Sequence, residues 1–224
     1  MKNKLKIAIK LVFGLFLFAL GIVLTLNAGI GVAPWDVFHQ GVSKVTGITI
    51  GKASIYSGLI IIVLDIILGQ DIGWATICNM ILIGTFIDIL MLNNLVPIFK
   101  SFLPSLIMLL LGIAVQGYGC YFYISAGLGA GPRDGLMVVL TKRTGKSVRL
   151  IKSAIEIPAV TLGYILGGNL GIGTIIMAFF SGQIWQLVFK SLDFNIGGVE
   201  HRYLKDDILY LKDKFNKIEK EDNK

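Results

Sequence analysis

Charged residues are scarce in this sequence, at 16% of its 224 residues. A soluble domain carries roughly a quarter charged residues, which cover its surface. Hydrophobic residues make up 54% of the chain, and the mean hydropathy is +0.76. Long apolar runs separate the charged clusters, and a bilayer core of about 30 Å needs roughly 20 such residues per helix. The composition therefore excludes a soluble domain and predicts an integral membrane protein.

Cysteine and histidine are also rare, with two residues of each type. Cys78 and Cys120 lie inside apolar runs and are typical of small core hydrophobes, so neither a disulfide framework nor a metal-ligand pattern is predicted. No P-loop motif occurs, and any use of ATP would need a separate partner. An enzyme would need a nucleophile and a base, or metal ligands, at workable spacing. We expect no enzymatic activity, no cofactor and no metal site.

The formal net charge is +7, but its placement argues against a nucleic-acid partner. Basic residues precede the first apolar run and form a cluster over 133–152 between later runs. This is the positive-inside bias that orients membrane helices. It predicts that the N-terminus, this cluster and the C-terminal tail share the cytoplasmic side. The first run also fits a signal peptide, but it has a counterpart later in the chain, so we expect it to be a retained span.

Six apolar runs predict an all-α polytopic membrane bundle. A backbone in lipid must satisfy its own hydrogen bonds, which runs of this length do as helices. The second and fifth runs are short, and Pro158 is expected to kink the fifth. The predicted spans are Ile7–Leu26, Ala53–Leu68, Trp74–Leu92, Phe102–Ser125, Ile151–Leu166 and Leu170–Phe189.

The chain repeats itself. Residues Ala28–Asp36 align with Ala126–Asp134, a shift of 98 residues (from 28 to 126). The same shift aligns further pairs of glycines and threonines without a gap, among them Gly14/Gly112, Gly21/Gly119, Gly69/Gly167, Thr76/Thr174 and Gly84/Gly182. The sequence therefore predicts two membrane repeats, 1–97 and 98–196, followed by a charged tail, 197–224.

The relative orientation of the repeats depends on two short segments, Pro34–Val45 and Pro132–Thr141. Both are too short to span as helices. If they are re-entrant or interfacial, each repeat has three spans and the second repeat is inverted. If they cross, the chain has eight spans and parallel repeats, with most basic residues still inside. We prefer six spans.

The tail has a helical pattern among charged residues. Its apolar positions are Leu204, Ile208, Leu211, Phe215 and Ile218. This spacing predicts an amphipathic cytoplasmic helix. Two heptads do not establish a coiled coil, so the helix is expected to lie on the membrane surface or to pack on a loop.

The repeated motif A-G-[IL]-G-[VA]-x-P-x-D is the most specific feature. Its glycines allow positive φ, its proline suits the first turn of a helix, and its aspartate meets the positive helix end. One interpretation is a well-capped short helix. The other is a solute site where broken backbone lies at membrane depth. The candidate site residues are Gly31, Pro34, Asp36, His39, Gly129, Pro132, Arg133 and Asp134.

These residues, with His39-Gln40-Gly41 and Gly131–Met137, resemble the YczE/YyaS/YitT-type membrane proteins, and most closely the YczE-like branch. The resemblance covers roughly residues 7–190. It implies a multi-pass protein of the bacterial cytoplasmic membrane whose biochemical activity is not established.

Three acids fall inside predicted spans, namely Asp65, Asp88 and Glu156. A charged acid there costs about 2.5–3.5 kcal/mol on insertion scales and often marks an ion or proton path. We take all three as candidates for ion or proton coupling, although Asp65 could instead lie near the interface. His39, one turn from Asp36, is either a proton relay or an interfacial histidine. The amides Asn79 and Gln116 are expected to hydrogen-bond between helices.

Two functions fit these features. The first is a small-solute transporter whose site lies where the two Gly-Pro-Asp turns meet. The aspartates partly cancel the helix dipoles, which favours a cation, a proton-coupled solute or a neutral polar molecule. The second is a non-transporting accessory or regulatory protein, or the substrate-binding subunit of a larger transporter. The expected partners are the lipid bilayer, a small polar solute or cation, and a further copy or another membrane protein.

Overall fold

The computed structural model describes residues 2–210 and 212, with side chains from residue 4 onward. Regular structure in this part of the chain is helical. The helices are α1 (Lys2–Asn27), α2 (Pro34–Thr46), α3 (Ile50–Ile67), α4 (Trp74–Leu92), α5 (Phe102–Ile124), α6 (Pro132–Thr144), α7 (Val148–Ile165) and α8 (Ile172–Ser191), with a short 3-10 turn at Ile196–Gly198.

Five of the six predicted spans are helices long and apolar enough to cross a membrane: Lys4–Asn27, Ile50–Ile67, Trp74–Leu92, Phe102–Ile124 and Ile172–Ser191. The sixth, α7, is as long as α3 but carries three charged residues, Arg149, Lys152 and Glu156. Apolar side chains cover the outer faces of the helices; Ile67 and Ile165, for example, are more than two-thirds exposed. Such a surface requires lipid rather than water.

The centre of the bundle is an antiparallel pair, α1 and α5, held together by glycines. A Cβ at Gly21 would lie 2.6 Å from the carbonyl oxygen of Gly112, and one at Gly14 would lie 2.9 Å from that of Gly119. Residue numbers thus rise along one helix as they fall along the other. Small residues let membrane helices approach closely enough for dense backbone packing.

The remaining helices pack around this pair in a matched arrangement. Helix α4 lies against α1, where the rings of Phe16 and Phe86 meet edge to face at 5.5 Å. Helix α8 lies against α5, where the indole N–H of Trp185 donates to the carbonyl of Ile113 at 3.1 Å. Helices α2 and α6 each pack against a helix of the opposite half, α2 on α7 and α6 on α3.

The directions of the long helices follow from their end contacts. The N–H of Ala75, at the start of α4, donates to Leu128 O, just beyond α5, while Gly173 N–H of α8 donates to Ile30 O, just beyond α1. Helix α4 therefore begins at the face that holds the first residues of α1 (face one), and α8 begins at the opposite face (face two). Helix α3 is antiparallel to α4, since Gly51 meets Gly84 and Gly58 meets Met80. The six long helices alternate in direction. Helix α2 begins and ends toward face two, and α6 begins and ends toward face one.

A shift of 98 residues carries the bounds of α2 onto those of α6, and those of α3 onto α7. Left-handed glycines follow the same shift at Gly29/Gly127, Gly31/Gly129, Gly47/Gly145 and Gly69/Gly167. The packing of α3 on α4 does not follow it. Helix α3 packs on α4, but α7 does not pack on α8.

The tail folds back over face one. Arg202 N–H donates to Gly127 O at 2.8 Å, and Leu204 N–H donates to Ile72 O at 2.9 Å. The chain is helical from 204 to 210. Of the predicted amphipathic positions, Leu204 and Ile208 lie in this helix, whereas Leu211, Phe215 and Ile218 lie outside the described residues. Where it is described, the tail packs on loops, one of the two predicted alternatives.

Candidate functional site

A cavity of about 370 Å³ lies where the first turns of α2 and α6 approach each other. This volume falls in the range of small-molecule sites, roughly 300–1,000 Å³. Both Pro-x-Asp turns line it, together with residues from α1, α3, α4, α5, α7 and α8. The two motifs that the sequence places 98 residues apart therefore meet at one cavity.

Each turn needs its glycines for both backbone angle and space. Gly31 has φ 115° and Gly129 has φ 107°, which L side chains rarely adopt. A Cβ at Gly31 would also lie 2.8 Å from the backbone nitrogen of Gly171. Each turn is also hydrogen-bonded to a threonine of the opposite half. Thr174 accepts from Val32 N–H at 3.1 Å, and Thr76 donates to Ala130 O at 2.7 Å. Pro34 and Pro132 then begin the short helices, where a missing N–H costs nothing.

Arg133 connects the two halves. Its guanidinium lies 4.7 Å from the ring centre of Trp35 and donates to His39 Nε2 at 3.1 Å. Trp35 and Arg133 occupy the same position in the two copies of the motif, so the position that breaks the repeat forms a cation–π contact across it. Its other guanidinium N–H groups make no hydrogen bond to the described residues.

His39 lies between Arg133 and Asp36. Arginine can only donate, so Nε2 of the neutral ring accepts and Nδ1 carries the proton. Nδ1 lies 3.5 Å from an Asp36 carboxylate oxygen, and the hydroxyl of Ser57 lies 2.9 Å from Nε2. His39 is fully buried and Asp36 is 4% exposed. The structure thus brings the predicted His39–Asp36 pair together and adds Arg133 to it.

Asp134, the repeat partner of Asp36, has a different environment. Its carboxylate accepts from the Tyr123 hydroxyl at 3.2 Å, and the residue is exposed where it lines the cavity. The two equivalent aspartates therefore differ in access. Asp36 is closed off in the first half, and Asp134 is open in the second.

Of the three predicted coupling acids, Glu156 alone lines the cavity. It lies on α7 and pairs with Lys152 at 3.8 Å, one turn away. Asp88 instead joins α4 to the start of α3, accepting from the Thr49 hydroxyl at 2.5 Å and from Gly51 N–H at 2.9 Å. Asp65 is fully buried where α3 meets Gly135 of α6, and its carboxylate has no hydrogen-bond partner among the described residues.

Gln116 and Trp185 are among the cavity residues that the sequence does not predict as site residues. Gln116 of α5 is 6% exposed, and its Nε2 has no partner within the described chain, although an interhelical hydrogen bond was predicted for it. Trp185 of α8 adds an aromatic wall. The position of Gln116 inside a long apolar run could have identified it, because an amide is unusual there. Nothing in the sequence distinguishes Trp185 from aromatic residues that face lipid.

The two halves pack differently around the cavity. In the first half, a Cβ at Gly84 would lie 2.5 Å from Gly51 O, and Asp88 reinforces this contact. In the second half, a Cβ at Gly182, the partner of Gly84, would meet nothing within 4 Å. Gln186, the partner of Asp88, is exposed. Helix α7 therefore stands away from α8, while α3 is closed on α4.

The tail contacts the second glycine turn. His201 Nδ1 accepts from Gly129 N–H at 3.3 Å, so the ring is the neutral tautomer with its proton on Nε2. Burial lowers the pKa of His201 from its ordinary value of about 6.5. The residue is half-buried against the turn.

Comparison with known proteins gives one matching family model and three related proteins. A family model described as a family of unknown function (DUF6198) matches residues 5–190. The uncharacterised membrane protein YczE of Bacillus subtilis is 37% identical over 175 residues, covering 76% of this chain and 80% of that protein. An uncharacterised protein of Haemophilus influenzae is 34% identical over 176 residues, covering 79% of this chain and 80% of its own.

A more distant relative is the uncharacterised protein YyaS of Bacillus subtilis, 25% identical over 175 residues, 76% of this chain and 86% of that protein. No solved structure matches the chain. These matches confirm the resemblance to YczE- and YyaS-type proteins. They support a membrane location and assign no activity.

Proposed function

The chain belongs to DUF6198, a family of unknown function, and we propose that it is a small-solute transporter of the cell membrane whose binding site is the cavity between the two Gly-Pro-Asp turns. The observation that carries this proposal is the unequal packing of two equivalent halves around one cavity. Transporters built from inverted repeats place their site at the repeat interface and open it to one side at a time.

In this proposal the halves are inverted three-span repeats. The equivalent helices α1 and α5 run antiparallel, as inversion requires and as parallel repeats do not allow. Helices α2 and α6 return toward the face from which they begin, so they are re-entrant and the count is six spans. With the basic cluster at face one, both termini are cytoplasmic.

Access would alternate by exchange of packing between the halves. In the described state, α3 is closed on α4 through Gly51 and Gly84, and Asp36 is buried. In the opposite state, α7 would close on α8 at Gly182, and α3 would leave α4 to expose Asp36. The contact made at Gly84 would thus move to its repeat equivalent.

Charge in the cavity wall gives the transporter a means of coupling. Glu156 faces the cavity and is held by Lys152 alone among the described residues. The Asp36–His39–Arg133 chain joins the halves and can change protonation at the histidine. Proton or cation coupling is therefore part of the proposal.

A flux survey tests transport directly. Purified protein in proteoliposomes is given labelled cations, amino acids, sugars and organic acids, and uptake is compared with that of empty liposomes. We expect uptake of one class, reduced in Asp36→Asn and Asp134→Asn. Lys142→Gln, an exposed change on α6 outside the cavity, is the matched control. Absence of uptake for every class, with a stable partner co-purifying instead, would favour an accessory role.

Topology is tested separately with single cysteines at Lys44, in the last turn of α2, and at Lys146, just after α6, in a background where Cys78 and Cys120 are alanine. Six spans predict that an impermeant thiol reagent applied from outside intact cells labels the first and spares the second. Labelling of neither residue from outside would indicate eight spans.

A further inference from the structure

We propose that the cavity binds a zwitterionic solute, one that carries a carboxylate and an ammonium group on a largely apolar body, as an α-amino acid does. This inference rests on the proposed function, because it names the solute class of the same site. It follows from which charges in the cavity wall are already paired within the protein and which are not.

Glu156 and Asp36 already have partners in the protein: Glu156 is in an ion pair, and Asp36 faces the N–H of the neutral His39 ring. Lys152 and Glu156 lie 3.8 Å apart, and Asp36 faces His39 Nδ1 at 3.5 Å while being nearly closed to the cavity. The groups that remain are Arg133 and Asp134, neighbours in the first turn of α6. They form no ion pair with each other. The described wall therefore offers one positive and one negative group to a ligand.

The positive group is suited to a carboxylate. Arg133 donates one hydrogen bond, to His39, and its other N–H groups have no acceptor among the described residues. A guanidinium presents a planar fork that matches both oxygens of a carboxylate. Gln116 adds a second donor, since its Nε2 is buried in the wall of the same cavity and has no partner in the described chain. A buried amide left unpaired is costly, and a ligand oxygen would satisfy it.

The negative group is suited to an ammonium. Asp134 accepts a single hydrogen bond, from Tyr123, and is exposed to the cavity. A carboxylate has about four acceptor positions, so most of them remain available. A simple anion would be repelled by Asp134, and a simple cation by Arg133. A solute with both charges satisfies the two residues together.

The body of the solute would meet apolar walls. Phe18, Ile22, Met177 and Trp185 line the cavity. The volume of about 370 Å³ is large enough for an amino acid with an aromatic or branched side chain and small enough to exclude most peptides. The site therefore selects for two charges at one end and hydrocarbon at the other.

Matched compounds test the class. Calorimetric titration of the wild-type protein in nanodiscs uses phenylalanine, phenethylamine, which lacks the carboxylate, and 3-phenylpropionate, which lacks the ammonium. A second set uses leucine, isopentylamine and 4-methylpentanoate. We expect at least one amino acid to bind, and its two single-charge analogues to bind at least about tenfold more weakly, because each leaves one charged group of the wall unpaired.

Two variants assign the ends of the ligand. Arg133→Gln is expected to lose amino-acid binding and to keep or gain binding of the amine. Asp134→Asn is expected to lose amino-acid binding and to keep or gain binding of the acid. Lys142→Gln should bind as the wild type does. Because each variant is expected to bind a different analogue, loss of amino-acid binding is distinguishable from loss of folding.

The inference is overturned if neither amino acid binds, or if a single-charge analogue binds as tightly as its parent. The flux survey then separates this failure from that of the proposed function. Uptake confined to sugars, cations or organic acids would leave transport intact and remove the zwitterion. No uptake of any class, with amino-acid binding intact, would keep the site and remove transport.

Discussion

Glycine residues at equivalent positions have unequal surroundings. Gly84 is enclosed by α3, and Gly182 faces open space. Sequence pairs the two residues through the 98-residue shift, yet it cannot show that one is packed and the other is not. The same limit applies to the acids. Their positions inside apolar runs predict a functional role for all three, but Asp88 is engaged in a helix–helix contact and only Glu156 lines the cavity.

Alanine at these two glycines should separate packing from transport. Gly84→Ala places a methyl 2.5 Å from the Gly51 carbonyl and should lower the free energy of unfolding by about 1–3 kcal/mol. Gly182→Ala meets no atom within 4 Å and should change it by less than about 0.5 kcal/mol. Denaturation in micelles followed by circular dichroism measures both. Equal destabilisation by the two changes would contradict the unequal packing.

A bulkier residue at Gly182 tests the exchange of packing. Gly182→Leu has room in the described state, so folding should be retained, but the leucine would prevent α7 from closing on α8. We expect most of the flux to be lost while the unfolding temperature changes little. Flux at the wild-type rate would show that α7 does not close at this position.

Amides at the acids distinguish coupling from packing. Glu156→Gln removes a charge at the cavity wall and should reduce flux and its dependence on a proton gradient, with little effect on stability. Asp88→Asn weakens the contact to Thr49 and should lower stability without removing that dependence. Both are read by uptake in proteoliposomes with and without a pH gradient. Unchanged coupling in Glu156→Gln would remove this residue from the proposal.

The sequence predicts helices and turns better than it predicts the contacts between them. The Gly-Pro-Asp motif predicts the positive φ values and the start of α2 and α6, because glycine and proline restrict the backbone locally. The tail is different. Its apolar spacing predicts a helix, but the hydrogen bonds to Gly127 and Ile72 that dock it join residues far apart in the chain. Only the fold brings them together.

Docking of the tail should depend on pH through His201. Its neutral ring accepts from Gly129 N–H, and burial lowers its pKa, so protonation opposes the contact. The contribution is present above the ordinary pKa of about 6.5 and is lost as pH falls through the lowered value. Hydrogen exchange of residues 199–207, corrected for the intrinsic pH effect, should rise below that value.

An asparagine provides the control, because His201→Asn keeps an acceptor near the position of Nδ1 without a titrating group. In this variant, hydrogen exchange of the tail should be the same above and below the lowered pKa of His201, after correction for the intrinsic pH effect. A wild-type tail that exchanges independently of pH would show that this hydrogen bond does not hold it.

For the whole molecule, the sequence predicts a membrane protein with two related halves, and it leaves two topologies open. Charge placement cannot choose between them, because both put most basic residues inside. The antiparallel packing of α1 and α5 is what favours inversion, and it depends on contacts between residues about 100 positions apart. The asymmetry of the cavity is even harder to predict from the sequence, because residues at equivalent positions of the two halves pack differently.

Distance measurement between spin labels tests the exchange of access most directly. One pair replaces Lys52 and Thr85 on α3 and α4, and the other replaces their equivalents, Leu150 and Gln183, on α7 and α8; all four positions are exposed. Alternating access predicts two populations in nanodiscs. Solute or pH should change the two label distances in opposite directions, so that one shortens as the other lengthens. A single fixed distance in each pair under all conditions would contradict it.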